Sequence, residues 1–93
     1  MRFELLDLQA EPEGVAPIRR ISALGVHWRV SVATYPEAIG CIGRLIFEPQ
    51  SPGTRHDTRY GPLTLRGRTR EELLVRVHDM PDRRLLAYLH SLG

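Results

Sequence analysis

The sequence contains no lysine and no asparagine, so all thirteen of its basic side chains, histidine aside, are arginines. Eleven acidic residues reduce the formal net charge to +2, which gives a weak electrostatic field for a chain of 93 residues. Both missing residues are encoded by AT-rich codons, and their absence therefore indicates a GC-rich, bacterial genome. The abundance of arginine is not in itself a sign of a nucleic-acid partner.

Cysteine is scarce and long apolar runs are absent, which excludes two further classes of protein. The single Cys41 has no partner for an internal disulfide, so the chain is not a disulfide scaffold. It lies in the apolar run 41–47, a setting typical of a small buried side chain. No apolar segment reaches the ~18 residues of a membrane span or forms a signal-peptide core, so we expect a cytoplasmic protein.

The chain is long enough for one modest hydrophobic core, and residues 1–93 are predicted to form a single domain. Hydrophobic residues make up 42% and charged residues 26%, which is typical of a globular chain and excludes a disordered one. The segment 49–62 holds three prolines and two glycines and is predicted to be a long mobile loop. A second connection is predicted at 9–17.

Two stretches in the first half alternate apolar and polar residues with the period of two that is typical of a strand. They are 26–33 and 41–48, with turn residues between them, and they predict an antiparallel hairpin. A third short strand is predicted at 63–66. Weaker strand candidates lie at 2–8 and 18–24.

The C-terminal third changes to helical spacing. Thr69 and Glu72 form a capping-box pair that begins one helix, and Pro81 separates it from a second. The apolar positions of the two helices are Leu73, Leu74, Val77 and Met80, then Leu85, Leu86, Leu89 and Leu92. The predicted fold class is α+β: a two-layer sandwich in which two short C-terminal helices pack on one face of an antiparallel sheet of about four strands, N-terminal and central.

The sheet face away from the helices is predicted to carry basic side chains and no aromatic residue for stacking bases. Guanidinium groups bind phosphates through paired hydrogen bonds, so a nucleic-acid-binding domain is one hypothesis. The arginines concerned are Arg29, Arg44 and Arg66 on the sheet, with Arg55 and Arg59 in the loop. The other interpretation is a solvated face, on which Arg29 or Arg44 pairs with Glu48 across the strands.

The loop 55–60 holds the densest group of reactive side chains in the chain. Arginine and tyrosine are enriched at interface hot spots, which predicts a partner-binding site in this loop. The residues of that site are Arg55, His56, Arg59 and Tyr60. A small enzyme centred on His56, Asp57 and Tyr60 is a further hypothesis, and it requires a deep cavity beside the loop. A plain polar surface loop is the remaining interpretation.

No motif in the sequence carries catalytic or metal chemistry. The four histidines and the cysteine stand singly, without the paired spacing of a zinc site. No glycine-rich phosphate loop and no nucleophile elbow is found. We therefore predict no metal, no cofactor and no catalytic residue.

Trp28 and the leucines of the two helices are predicted to lie in the core. So many leucines on two short helices exceed what one small sheet is expected to cover. The excess indicates a homodimer interface.

The segment LRGRTREELL at 65–74 resembles the strand-to-helix junction of HicB-type antitoxins. In that family a three-stranded sheet leads through a Gly-x-Thr-x-Glu-Glu turn into a helix. Gly67, Thr69, Glu71 and Glu72 match those positions, while the family's early Pro-Asp-Leu-Pro-Gly run is missing here. The resemblance covers about a tenth of the chain and implies a sheet followed by a helix; its function is not carried over.

The leading hypothesis from the sequence is a small non-enzymatic domain that binds another protein, in an interaction or regulatory role, or itself as a homodimer. The second is the nucleic-acid-binding domain. The third is the small enzyme.

Overall fold

A computed structural model describes residues 11–51 and 55–92. The strands are β1 (Gly14–Ala23), β2 (Val26–Pro36), β3 (Cys41–Pro49), β4 (Arg59–Tyr60) and β5 (Leu65–Gly67), and the helices are α1 (Arg70–His78) and α2 (Asp82–Ser91). The strands form one antiparallel sheet, and both helices pack on the same face of it. The predicted α+β sandwich is confirmed. The strand predicted at 2–8 lies outside the described residues.

The sheet is built on a meander of its three long strands, β1, β2 and β3. Val30 lies opposite Phe47 and Val32 opposite Leu45, so the predicted hairpin is confirmed with its apolar side chains on one face. The outer edge of β3 is shared by two short strands. β4 pairs with Ile46 and Phe47, and β5 pairs with residues 41–43.

β1 begins earlier than the sequence predicts, because Gly14–Pro17 belongs to the strand and not to a loop at 9–17. Pro17 donates no backbone hydrogen bond, a loss that an edge strand tolerates. Among residues 11–51 and 55–92, β1 is such an edge, since it pairs there with β2 alone, and its register shifts between Pro17 and Arg19 as in a β-bulge. The connection after β3 is also shorter than the predicted loop 49–62, because Pro49 ends β3 and Arg59–Tyr60 forms β4.

The core lies between the sheet and the helices and contains the predicted residues. Trp28 and Phe47 are fully buried, and Cys41 is 4% exposed. The helices contribute Leu73, Val77, Met80, Leu85 and Leu89, while Leu74, Leu86 and Leu92 pack partly buried against them. Among the described helical residues, Val75 is the one large apolar side chain that is exposed. The predicted surplus of leucine is therefore not found there, and self-association stays a prediction.

A capping box begins α1, as predicted. The backbone N–H of Glu72 donates to Thr69 Oγ1 at 3.1 Å. The Glu72 carboxylate accepts from the backbone N–H of Arg68 at 2.8 Å, one residue earlier than the capping box predicts. This hydrogen bond, with the charges of Arg68 and Arg76, lowers the pKa of the Glu72 carboxyl.

Arg19 ties β1 to both helices, a contact that the sequence does not signal. Its Nη1 donates to the carbonyl oxygen of Met80 at 2.7 Å and to the Asp82 carboxylate at 2.8 Å. Its Nη2 donates to the carbonyl oxygen of His78. Carbonyls at a helix C-terminus lack intrahelical donors, so Arg19 supplies the missing hydrogen bonds between α1 and α2. Neither described helix has the length and apolar character that a membrane span requires.

Candidate functional site

The face of the sheet opposite the helices, here called the open face, is covered by no element of residues 11–51 and 55–92. The register places all three predicted sheet arginines on it. Arg29 lies opposite Glu48, Arg44 opposite Ala33 and Arg66 opposite Ile42. Arg20 of β1 lies opposite Arg29 and joins them. The basic face that the strand pattern predicts is therefore present.

Two tyrosines also lie on the open face, so the expectation of a face without aromatic residues is wrong. Tyr60 pairs with Ile46, and Tyr35 pairs with Ile42. The sequence pattern places Tyr35 in a turn and Tyr60 in a loop. Both become strand residues because β2 extends to Pro36 and because the short β4 forms against β3. Directly opposed residues of antiparallel strands point to the same face.

Aliphatic side chains lie among the arginines and tyrosines. Ile42 and Ile46 are half-buried, and Val15 is 53% exposed. Ser31, which the strand pattern places on a solvated face, is instead buried. Ile46 lies directly opposite Ser31 on the neighbouring strand, and its longer side chain shields the serine from solvent. The open face is therefore amphipathic and not simply polar.

Arg44 occupies the middle of this face, on the central strand β3. The side chain is half-buried, and its Nε atom is buried without a hydrogen-bond partner among the described residues. Arg66 differs, since its Nη1 donates to the Glu37 carboxylate at 2.7 Å. Arg29 faces Glu48 but forms no ion pair within the part of the chain that the structure describes. Within residues 11–51 and 55–92, Arg44 forms no side-chain hydrogen bond and no ion pair, so the remaining donors of its guanidinium can bind an anion.

The loop 55–60 does not act as one surface, because two of its residues are half-buried against the helix side of the sheet. Arg59 pairs with Phe47 on the helix side of the sheet, and its guanidinium lies over the Trp28 ring. Its Nη2 lies 3.4 Å from His56 Nδ1, and the His56 ring is 5.4 Å from the indole. His56 and Arg59 therefore anchor the loop to the core.

The other two residues of the predicted partner-binding set are exposed. Tyr60 is 58% exposed and extends the open face, while Arg55 lies in the loop. Arg59 is separated from the sheet arginines by the sheet itself. The predicted set Arg55, His56, Arg59 and Tyr60 is therefore not brought together at one point.

The geometry offers little to an enzyme centred on this loop. His56 packs beside the indole and Asp57 is exposed. A cavity of about 480 Å³ lies away from them, between β5 and the two helices. No group of three or more potential metal ligands occurs among residues 11–51 and 55–92.

No family model, no curated protein and no solved structure matches the chain. Its function has to be inferred from the arrangement of its own side chains.

Proposed function

We propose that the chain is a non-enzymatic cytoplasmic interaction domain, and that its open face binds an acidic, amphipathic segment of a partner protein. One observation carries the proposal. Among the described residues, the half-buried Arg44 has no partner for its Nε and lies at the centre of a sheet face that no element covers, with tyrosine and isoleucine side chains around it.

The mixture of side chains supports a protein partner. Arginine and tyrosine are the residue types that contribute most binding energy at interfaces. Ile42 and Ile46, which lie between them, gain free energy when they are covered by apolar side chains of a partner. Phosphates and bases use the arginines and tyrosines of such a face but leave its aliphatic side chains without a matching group.

The charge of the face supports an acidic partner. Arg20, Arg29 and Arg44 lie on it together with one opposed acid, Glu48, while Arg66 is already paired with Glu37. A carboxylate of the partner would form a charge-assisted hydrogen bond with Arg44, whose side chain is half-buried. Such a bond relieves the cost of a buried donor without an acceptor.

Binding of a defined probe tests the proposal. A short peptide of alternating glutamate and leucine, added to the isotope-labelled protein, is expected to shift the amide NMR signals of β2, β3 and β4. Arg44→Gln should weaken that binding about tenfold, because a charge-assisted hydrogen bond is lost. The control Arg83→Gln removes an equally charged but exposed side chain from α2 and should leave the affinity unchanged.

Two other outcomes would contradict the proposal. If a short oligothymidylate shifts the same signals with a steep salt dependence and the peptide does not, the open face binds nucleic acid. If neither probe shifts them, the open face is a solvated surface.

A further inference from the structure

A cavity of about 480 Å³ opens between β5 and the two helices, on the opposite layer of the molecule from the open face. Its size falls within the roughly 300–1,000 Å³ of small-molecule sites. The residues that line it are Thr64, Leu65, Arg66, Leu73, Arg76, Val77, Asp79, Met80, Pro81, Arg84 and Tyr88. They come from β5 and the residue before it, the two helices and the turn between the helices, so the cavity is built by the packing of the fold.

The floor of the cavity is apolar and well ordered by its place in the core. Leu73 and Val77 of α1 are each 1% exposed, and Met80 is 7% exposed. Leu65 and Tyr88 are partly buried and pack against the same core. An apolar group of a ligand would therefore contact mainly Leu65 and Tyr88, which are backed by these buried side chains.

The rim of the cavity carries two arginines. Arg76 and Arg84 line it together with one acid, Asp79, while the guanidinium of Arg66 is paired with Glu37. Arg84 forms no ion pair and no side-chain hydrogen bond within residues 11–51 and 55–92. Arg76 is held at one end, since its Nη1 donates to the Arg66 carbonyl oxygen at 3.0 Å and its Nη2 lies 3.9 Å from Glu72. Arg84, with all its donors available, faces the cavity beside Arg76.

From this pairing of an apolar floor with a cationic rim, we infer that the cavity binds a small organic acid, a carboxylate attached to a compact apolar body. The carboxylate accepts hydrogen bonds from Arg84 and Arg76, for which the guanidinium group is geometrically suited. The apolar body contacts Leu65 and Tyr88, next to the buried Val77 and Met80. The inference is independent of the proposed function, because it uses neither Arg44 nor the tyrosines of the open face.

Octanoate is the probe for the test, because it combines both features. Its addition to the isotope-labelled protein should shift the amide signals of Val77, Met80 and Arg84 in a saturable way. Two control compounds should not shift these signals. Octylamine has the same hydrocarbon chain with a positive head group, and acetate has the negative charge without the chain. Arg84→Gln should weaken octanoate binding about tenfold, whereas the neighbouring control Arg83→Gln should leave it unchanged.

Each of four results would overturn the inference. Octylamine and octanoate shift the signals alike, the two arginine variants lose equal affinity, or octanoate shifts no signal of the cavity. A fourth is that the glutamate–leucine peptide displaces octanoate from these residues, since the cavity would then belong to a protein partner. If octanoate does not bind the cavity, the proposed function is unaffected, because it is tested by the amide signals of β2, β3 and β4.

Discussion

The Cζ atom of Arg59 lies 5.3 Å from the centroid of the Trp28 indole ring. The Nη1 atom of the same arginine donates to the carbonyl oxygen of Leu89 at 3.2 Å, in the last turn of α2. Trp28 Nε1 donates in turn to the carbonyl oxygen of Ala23 at 2.9 Å, which fixes the ring. This pair therefore joins β4 and the loop before it to the core and to the second helix.

Arg59→Gln should destabilise the protein by about 1–2 kcal/mol, because it removes the cation–π contact and the hydrogen bond to the helix carbonyl. Urea unfolding followed by Trp28 fluorescence measures the loss. Arg55→Gln, an equal change of charge at an exposed position of the same loop, should cost less than about 0.5 kcal/mol. Equal losses in the two variants would mean that the stacking on Trp28 contributes nothing to stability.

Two features of the structure require glycine at position 40: a positive φ and a close contact with another backbone segment. Gly25 has the positive φ alone, so comparing the two positions separates the two effects. The φ of Gly40 is +90°, and an added Cβ would lie 2.5 Å from the carbonyl oxygen of Gly67. Gly25 has a φ of +79° with nothing within 4 Å of an added Cβ. Gly25→Ala should therefore lower the free energy of unfolding only by the backbone strain, about 1–2 kcal/mol. Gly40→Ala should lower it clearly more, and thermal unfolding of the two variants measures the difference. The close approach of the two backbones would be refuted by equal costs.

Cys41 should be inert in the folded protein. Burial raises the pKa of its thiol, and the carboxylate of Glu13 adds to this effect. Since the thiolate is the reactive form, iodoacetamide should not label Cys41 at neutral pH until urea unfolds the chain. Mass spectrometry of the native and the denatured protein measures the labelling, and the denatured sample shows that the reagent is active. Rapid labelling of the native protein would contradict a buried thiol.

Glu72 should make stability depend on acid pH. Its pKa is lowered in the folded state, chiefly by the hydrogen bond from the Arg68 backbone N–H. A carboxyl of this kind stabilises the fold above its unfolded-state pKa, and the stabilisation is lost as the pH falls through its folded-state pKa. Glu72→Gln should be less stable than the native chain near neutral pH, and the difference should shrink between about pH 6 and pH 3.

The neighbouring variant Glu71→Gln serves as the control for that experiment. Glu71 lies in the same helical turn, and its carboxylate accepts no hydrogen bond from the described residues. The difference between this variant and the native chain should vary less with pH. If thermal unfolding shows a constant gap for Glu72→Gln across the range, the carboxylate is not linked to folding.

Local patterns predicted the layers of this fold well. The alternation around Val30 and Val32 correctly placed the helix-facing side of the hairpin, because a period of two leaves only two choices of face. The capping pair Thr69 and Glu72 correctly marked the start of α1, since both partners lie within one helical turn. The same alternation placed Arg29 and Arg44 on the open face.

Contacts between distant positions could not be predicted in this way. Arg19 donates to the carbonyl oxygens of Met80 and His78, which lie 61 and 59 residues away in the sequence, and no local pattern predicts such a contact. Tyr60 reaches the open face through a strand of two residues, too short for any periodicity. The anchoring of Arg59 on Trp28 likewise depends on how the loop returns to the sheet. The sequence therefore predicted the arginines of the candidate site but not its tyrosines.

The two borders of the sheet have a consequence for the behaviour of the chain at high concentration. In the sheet formed by the described residues, one border carries Pro17 and a register shift, and the other consists of two short strands of two and three residues. Fibril growth requires a long, flat row of free backbone donors and acceptors onto which another chain can add. Neither border offers one within the described part of the chain, so these two borders should not start cross-β aggregates in concentrated solutions of the folded domain.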